Sequence, residues 1–487
     1  MKKKKYNKRM VSEIPRPQGP PYPENALTAI SPLDGRYDKE LDEFSQYSSE
    51  FGLQSARTEI EALNLISLSN VGVIRPLTEG ERKMLLDMGP GLTMEQAQRI
   101  KELEAKSEHD VQAVEKMMRE EFRGTSLEDI SPYIHFPATS EDPNNLSYRL
   151  MIKRGTNRIV IPVVDRVVDT VIDLAEREKG TAMLARTHGQ GGVPTTLGKE
   201  MAVFAVRMNK EARRLQNMKL TGKWNGAVGN FNAHVYARPD IDWQKYSKEF
   251  VESLGFEYNP FTTQINPYED LIEMFQTYQR LNGIFLDFNQ DMWRYISDDW
   301  FSQISRAGET GSSTMAQKIN PIRFENSEGN LIIANSIFEG CGRKLGVSRL
   351  QRDLSDSTVI RNGPSAIAYS LLAYKNTERG LGRITPNYEE IKKSLDADWG
   401  TLTEGVQVYL RTQGRDDAYD IVKAAARGVH ISPDSWGEWV DRLDITDEQK
   451  AHVSKLSPTN YIGIAEEITE QAIQSIKDSR TLVNNNS

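Results

Sequence analysis

Three apolar stripes constrain this chain more than any other feature. Leu197, Met201, Phe204, Met208, Ala212 and Leu215 recur at steps of three and four residues. Phe275, Tyr278, Leu281, Phe285, Phe288, Met292 and Tyr295 do the same. Val163, Val164, Val167, Val168, Val171, Ile172 and Ala175 form a third stripe, with Pro162 suited to a first helical turn. β-Branched residues favour strands, but a spacing of three and four outweighs propensity over this length. Helices carrying such stripes pack nearly parallel in a bundle. No comparable series of alternating strands is present, so the expected fold class is all-α, built on a central bundle of long helices.

The 487 residues suffice for a large core or several domains. Apolar residues make up 38% and charged residues 27%, a globular composition. No apolar run reaches the roughly 18 residues of a membrane span. A single cysteine, Cys341, excludes an intramolecular disulfide framework and Cys-based metal cages. It points to a reducing, cytoplasmic setting. Neither an HExxH motif nor a paired His spacing occurs, so no metal is expected.

The net charge of −8 argues against nucleic acid as the main partner. Residues 1–25 depart from the rest, with seven cations against Glu13 and Glu24, for +5, and five prolines. This segment reads as a basic, Pro-rich flexible arm without the apolar core of a secretory signal. The remainder carries −13. Boundaries are expected near residues 130 and 380, giving an N-terminal helical domain (26–130), a central bundle (131–380) and a C-terminal helical domain (381–487).

Gly- and polar-rich stretches at 186–196, 221–235, 307–321 and 351–364 interrupt the helices, where loops on a rigid scaffold carry chemistry. His188 sits in a polar turn followed by glycines. His109 adjoins Asp110, which could fix its tautomer, and His135 precedes Thr139-Ser140-Glu141-Asp142. Asp142-Pro143 reads as an N-cap and first-turn pair, placing Thr139 and Ser140 at a helix entrance suited to anions. From Gly308 to Pro321, two glycines and four hydroxyls precede Lys318 and Asn320, a pattern able to cradle a developing negative charge. Arg349, Arg352 and Arg361 offer forks for carboxylate or phosphate, although spacing alone favours internal pairing with Asp353 and Asp356.

The loop Gly311-Ser312-Ser313-Thr314-Met315-Ala316-Gln317-Lys318-Ile319-Asn320-Pro321 resembles the GSSxMPxKxNP signature of the fumarase/aspartase superfamily. Further segments resemble bacterial-type adenylosuccinate lyases: Ser31-Pro32-Leu33-Asp34-Gly35-Arg36-Tyr37, His109-Asp110-Val111, Thr139-Ser140-Glu141-Asp142, Arg186-Thr187-His188-Gly189-Gln190, Asn225-Gly226-Ala227-Val228-Gly229-Asn230, 324–330 and 352–362. The matches run in order from about residue 26 to the carboxyl end.

The resemblance implies a three-domain fumarase/aspartase-like fold whose central helices form a homotetrameric core, with each active site built from three subunits. It implies cleavage of adenylosuccinate to AMP and fumarate, and of SAICAR to AICAR and fumarate, without a cofactor. Ser312 matches the family's general base and His188 its acid. By the same match, Lys318 and Asn320 hold the succinyl carboxylates, with Ser313 beside Ser312 in the loop. Arg36 and Tyr37 bind the phosphoryl end, while His109 and Asp110 contact substrate or orient His188. Thr139, Ser140 and Gln264 grip the fumaryl part, and Asn326, Arg352, Ser357, Thr358 and Arg361 complete the site. Three places depart from the pattern: Ala316-Gln317 for Pro-His, Glu108 for Asn, and Gly191-Gly192 for Pro-Ala. None touches Ser312, Lys318 or His188, so activity is expected to be retained. The competing readings are a sister lyase, a catalytically silent structural member of the superfamily, and RNA binding through the basic arm.

Overall fold

In the computed structural model the structure describes residues 28–304, 315 and 318–484; the arm at 1–25 lies outside them. The three stripes lie on the helices Ile161–Arg177, Leu197–Asn217 and Glu269–Ser297. Every stripe residue but Ile172 is buried. Ile322–Leu345 and Gly363–Leu381 are further long helices.

The chain folds as two compact units. Of the described residues, those in 28–163, 214–282 and 329–373 form the first, and those in 164–213, 283–328 and 374–484 the second. In the first, the Phe275 and Tyr278 rings meet Phe338 at 5.3 and 5.4 Å, and Asn282 donates to Ser370 at 3.0 Å. The same unit holds the N-terminal helices Glu50–Asn70, Met94–Ser107 and Asp110–Phe122, whose apolar residues Ile60, Leu65, Ile100, Val114 and Met118 are buried. In the second unit, Phe204 meets Phe288 edge-on at 5.3 Å, and Asn289, Ser327 and Thr377 close a buried hydrogen-bonded triangle. Its carboxyl-terminal part has a core of its own, around Leu402, Val406, Leu410, Trp436 and Trp439.

Pro162 stands in the first turn of Ile161–Arg177, as expected, although the π-helical turn Thr156–Val160 joins that helix directly to Glu141–Gly155. Proline has no N–H for the i−4 carbonyl, and a wider turn absorbs the missing bond. The stretch 186–196 is not an irregular loop but half of an antiparallel hairpin, Ala182–Thr187 against Gln190–Thr196. Other strands among the described residues are two or three residues long.

Candidate functional site

The first unit organises its polar residues around the start of helix Glu141–Gly155. Asp142 is not the N-cap. Ser140 holds that position without a side-chain cap, and Asp142 lies inside the first turn. Its fully buried carboxylate accepts the N–H groups of Thr139 (2.8 Å), Asn225 (3.1 Å) and Gly226 (3.1 Å) and pairs with Lys223 Nζ at 2.9 Å. Lys223 is equally buried and also donates to the Gly226 carbonyl at 3.0 Å. Four donors converging on one carboxylate draw it away from capping and staple residues 223–226 to the helix start. Gly229 lets the same loop pass close to residue 262: a Cβ there would lie 2.4 Å from the Thr262 carbonyl oxygen, at a φ of +81°. Asn225 Nδ2 donates to Thr262 Oγ1 at 2.8 Å and Gln264 Nε2 to the Ala227 carbonyl at 3.2 Å. Thr139, Ser140 and Gln264 are therefore carried by one connected scaffold.

His109 joins it. Its Nδ1 accepts the Gln112 N–H at 3.1 Å, capping helix Asp110–Phe122, and its Nε2 faces Ser140 Oγ at 3.4 Å. Helix capping, rather than the neighbouring Asp110, sets which nitrogen of a neutral ring carries the proton. Asp110 instead bridges two arginines, buried Arg57 at 2.7 Å and half-exposed Arg361 at 3.0 Å, and Arg361 also reaches Glu50 at 2.9 Å. Burial of Asp110 opposes ionisation, but these guanidiniums hold its carboxyl below the usual range.

Arg352 is nearly buried. It pairs with Glu141 at 3.0 Å and Asp356 at 3.4 Å, and donates to Ser357 Oγ at 2.9 Å. The pairing with Asp356 agrees with the spacing, whereas Glu141 had no sequence signal. Burial pushes the Glu141 carboxyl up to about 7 against the pull of Arg352. Thr358 is exposed, and so is Arg36, whose guanidinium lies over the Tyr37 ring at 5.8 Å.

The second unit carries the remaining described candidates. His188 and Gly189 are the two turn residues of the hairpin, with φ of +54° and +73°. Positive φ at both positions is the type I′ geometry that matches strand twist. The turn leaves His188 exposed, and Arg186 donates across it to the Gly189 carbonyl at 3.2 Å. Lys318 is exposed, Asn320 partly buried, and Asn326 lies in helix Ile322–Leu345. Ser312 and Ser313 fall outside the described residues.

Two other histidines have structural surroundings. His135 Nδ1 lies 2.7 Å from Glu61, which also accepts the His135 backbone N–H, and Glu115 stands at 3.9 Å. Burial disfavours its charge, but Glu61 outweighs that and raises the imidazole to about 9. His234, absent from the sequence reading, is fully buried between the edges of Phe231 and Trp243. Among the described residues no group of histidine, cysteine and carboxylate side chains could hold a metal ion, and no helix is long and apolar enough to cross a membrane.

Comparison with known proteins is consistent with this geometry. The model of the lyase family matches residues 36–335, and that of the adenylosuccinate lyase C-terminal region matches 348–462. The adenylosuccinate lyase of Haemophilus influenzae is 42% identical over 92% of this chain and 99% of its own length. That of Escherichia coli K12 is 41% identical over 91% and 98%. Among solved structures, a fumarate lyase from Mesorhizobium sp. BNC1 superposes with a TM-score of 0.71 at 17% identity, covering 89% of this chain and 97% of its own. The 3-carboxy-cis,cis-muconate lactonizing enzyme of Pseudomonas putida gives 0.72 at 18%, covering 90% and 97%. These two share the all-α fumarase/aspartase fold, and the sequence matches narrow the assignment: the chain is a lyase and belongs to the adenylosuccinate lyase family.

Proposed function

We propose that this lyase cleaves adenylosuccinate to AMP and fumarate, and SAICAR to AICAR and fumarate, in purine nucleotide biosynthesis. The observation that carries the reading is 40–42% identity to adenylosuccinate lyases along almost their entire length. In the proposed β-elimination, Ser312 takes the proton from the carbon beside a succinyl carboxylate. Charge builds on that carboxylate, the C–N bond breaks with its electron pair going to nitrogen, and His188 returns a proton to that nitrogen. Each proton transfer is worth roughly 10²–10⁴-fold. A serine is a weak base unless its alkoxide is stabilised, a task that falls to loop amides and Lys318.

The substrates carry a phosphate and two carboxylates, so cations must outnumber local carboxylates at the point of binding. Arg36, Arg352 and Arg361 supply them, with Tyr37, Ser357 and Thr358 as neutral donors. Thr139, Ser140 and Gln264 take the fumaryl end, His109 and Asp110 lie beside it, and Ser313, Lys318, Asn320 and Asn326 meet the succinyl group. The reading includes a cytoplasmic homotetramer of three-domain subunits with composite sites. Exposed apolar side chains such as Tyr236, Phe261 and Leu350 support burial of further surface on assembly.

The test is chromatographic. Purified protein is incubated with each substrate, and nucleotide and fumarate are quantified while light scattering gives the mass. Equimolar AMP and fumarate from a tetramer support the reading. Consumption of neither substrate by an intact tetramer refutes it.

A further inference from the structure

Glu141 occupies a position that substrate contact alone does not explain. Its side chain is buried, with Oε2 3.0 Å from Arg352 and Oε1 3.4 Å from the Tyr268 hydroxyl. The same hydroxyl lies 3.1 Å from Asp356, which is also buried and stands 3.4 Å from Arg352. Two carboxylates thus flank one guanidinium and share one phenolic proton. The other charged groups facing Glu141 are already matched: Arg149 with Asp270 at 2.8 Å, and Lys223 with Asp142 at 2.9 Å. With both Glu141 and Asp356 ionised, this buried cluster carries one uncompensated negative charge, which burial disfavours. Retaining one proton removes the imbalance, and burial raising Glu141 to about 7 agrees in direction.

We propose that Glu141 is a positioning residue for Arg352: with Asp356 and Tyr268 it fixes the guanidinium beside Ser357, and by holding a proton it leaves Arg352 matched by one carboxylate and able to attract an anionic substrate group. The proposal rests on the assignment of Arg352 and Ser357 to the substrate site. When Glu141 loses the proton, the excess negative charge opposes an anion, so substrate affinity falls as pH rises through neutrality. Glutamine is the permanent neutral mimic: it keeps an oxygen for Arg352 and cannot ionise.

The test compares full-length wild type, Glu141→Gln and Glu141→Ala for adenylosuccinate turnover from about pH 6 to about pH 8.5. Melting temperature is followed at each pH with and without succinate. The expected results are a wild-type KM that rises about threefold or more across neutrality, a Glu141→Gln KM that loses this response, and a Glu141→Ala KM raised about tenfold with a smaller change in kcat. A Glu141→Gln profile that tracks wild type overturns the proposal. So does a Glu141→Ala variant altered in melting temperature alone. The Gln variant keeps the test decisive where Ala does not fold. Absence of turnover in wild type refutes the functional reading separately. The positioning claim is then read from succinate, which should raise the melting temperature of wild type at low pH only and of Glu141→Gln at both; no succinate effect in wild type at either pH overturns it.

Discussion

Asp142 and Lys223 form an ion pair at 2.9 Å with neither side chain exposed to solvent. The pair joins the Thr139-Ser140-Glu141-Asp142 segment to the loop beginning at Asn225, so two motifs distant in sequence become one rigid support. Removing one partner of a buried pair leaves the other uncompensated, at about 3–5 kcal/mol. Lys223→Met is therefore expected to lower the free energy of unfolding read from a urea titration by an amount of that order, and Asp142→Asn in the same chain should recover part of the loss. Independent, additive losses in a double-mutant cycle would contradict the coupling.

His234 gives a pH signature. Burial pushes its imidazole down to about 4, aided by Lys223 and opposed by Asp142. A group with a lowered folded pKa contributes stability that is complete above its unfolded value, about 6.5 for histidine, and is lost as pH falls towards the folded value. Thermal stability is expected to decline between about pH 6.5 and about pH 4, and less steeply in His234→Phe, which keeps the aromatic contacts. Equal slopes in the two proteins would remove His234 from the account.

Glu108 stands at the C-cap of helix Met94–Ser107 with φ +52°, a left-handed conformation that glycine and asparagine adopt more easily. Glu108→Gly is expected to stabilise the protein by roughly 0.5–1 kcal/mol, read as a higher melting temperature. A lower melting temperature would mean that the Glu108 side chain supplies stability that exceeds its backbone cost.

His188 separates structure from chemistry. It is exposed and occupies a type I′ turn position with φ +54°, where asparagine is a favoured residue. His188→Asn is expected to leave melting temperature and assembly unchanged while turnover falls by roughly 10²–10⁴. Loss of fold in this variant, or turnover near wild type, would contradict the proposed acid role.

The long helices were legible because a stripe such as Phe275 to Tyr295 repeats over five turns, and all seven of its residues are buried. The hairpin was not legible: Gln190–Thr196 carries two glycines and a proline, and its turn is His-Gly rather than the commoner Asn-Gly. Asp142 was recognised as belonging to a helix start, but its three backbone donors come partly from residues more than 80 positions away, which no local rule reaches. Lys223 and Tyr268 gave no signal, since a lysine in a polar stretch reads as solvated until its buried partner is known. The site motifs were recognisable from resemblance. Of the buried charges that hold them, the Arg352–Asp356 pairing was suggested by spacing, whereas Glu141 beside Arg352 and the Asp142–Lys223 pair were visible only in three dimensions.

The central claim is a carbon–nitrogen lyase that uses Ser312 as base, and ultraviolet absorbance tests it directly. Purified protein and Ser312→Ala are mixed in parallel with adenylosuccinate, with assembly and ligand binding verified for both. The account predicts the absorbance change of AMP formation in the first and a loss of roughly 10²-fold or more in the second. Turnover undiminished in Ser312→Ala, or absent from an assembled, ligand-binding wild type, would contradict it.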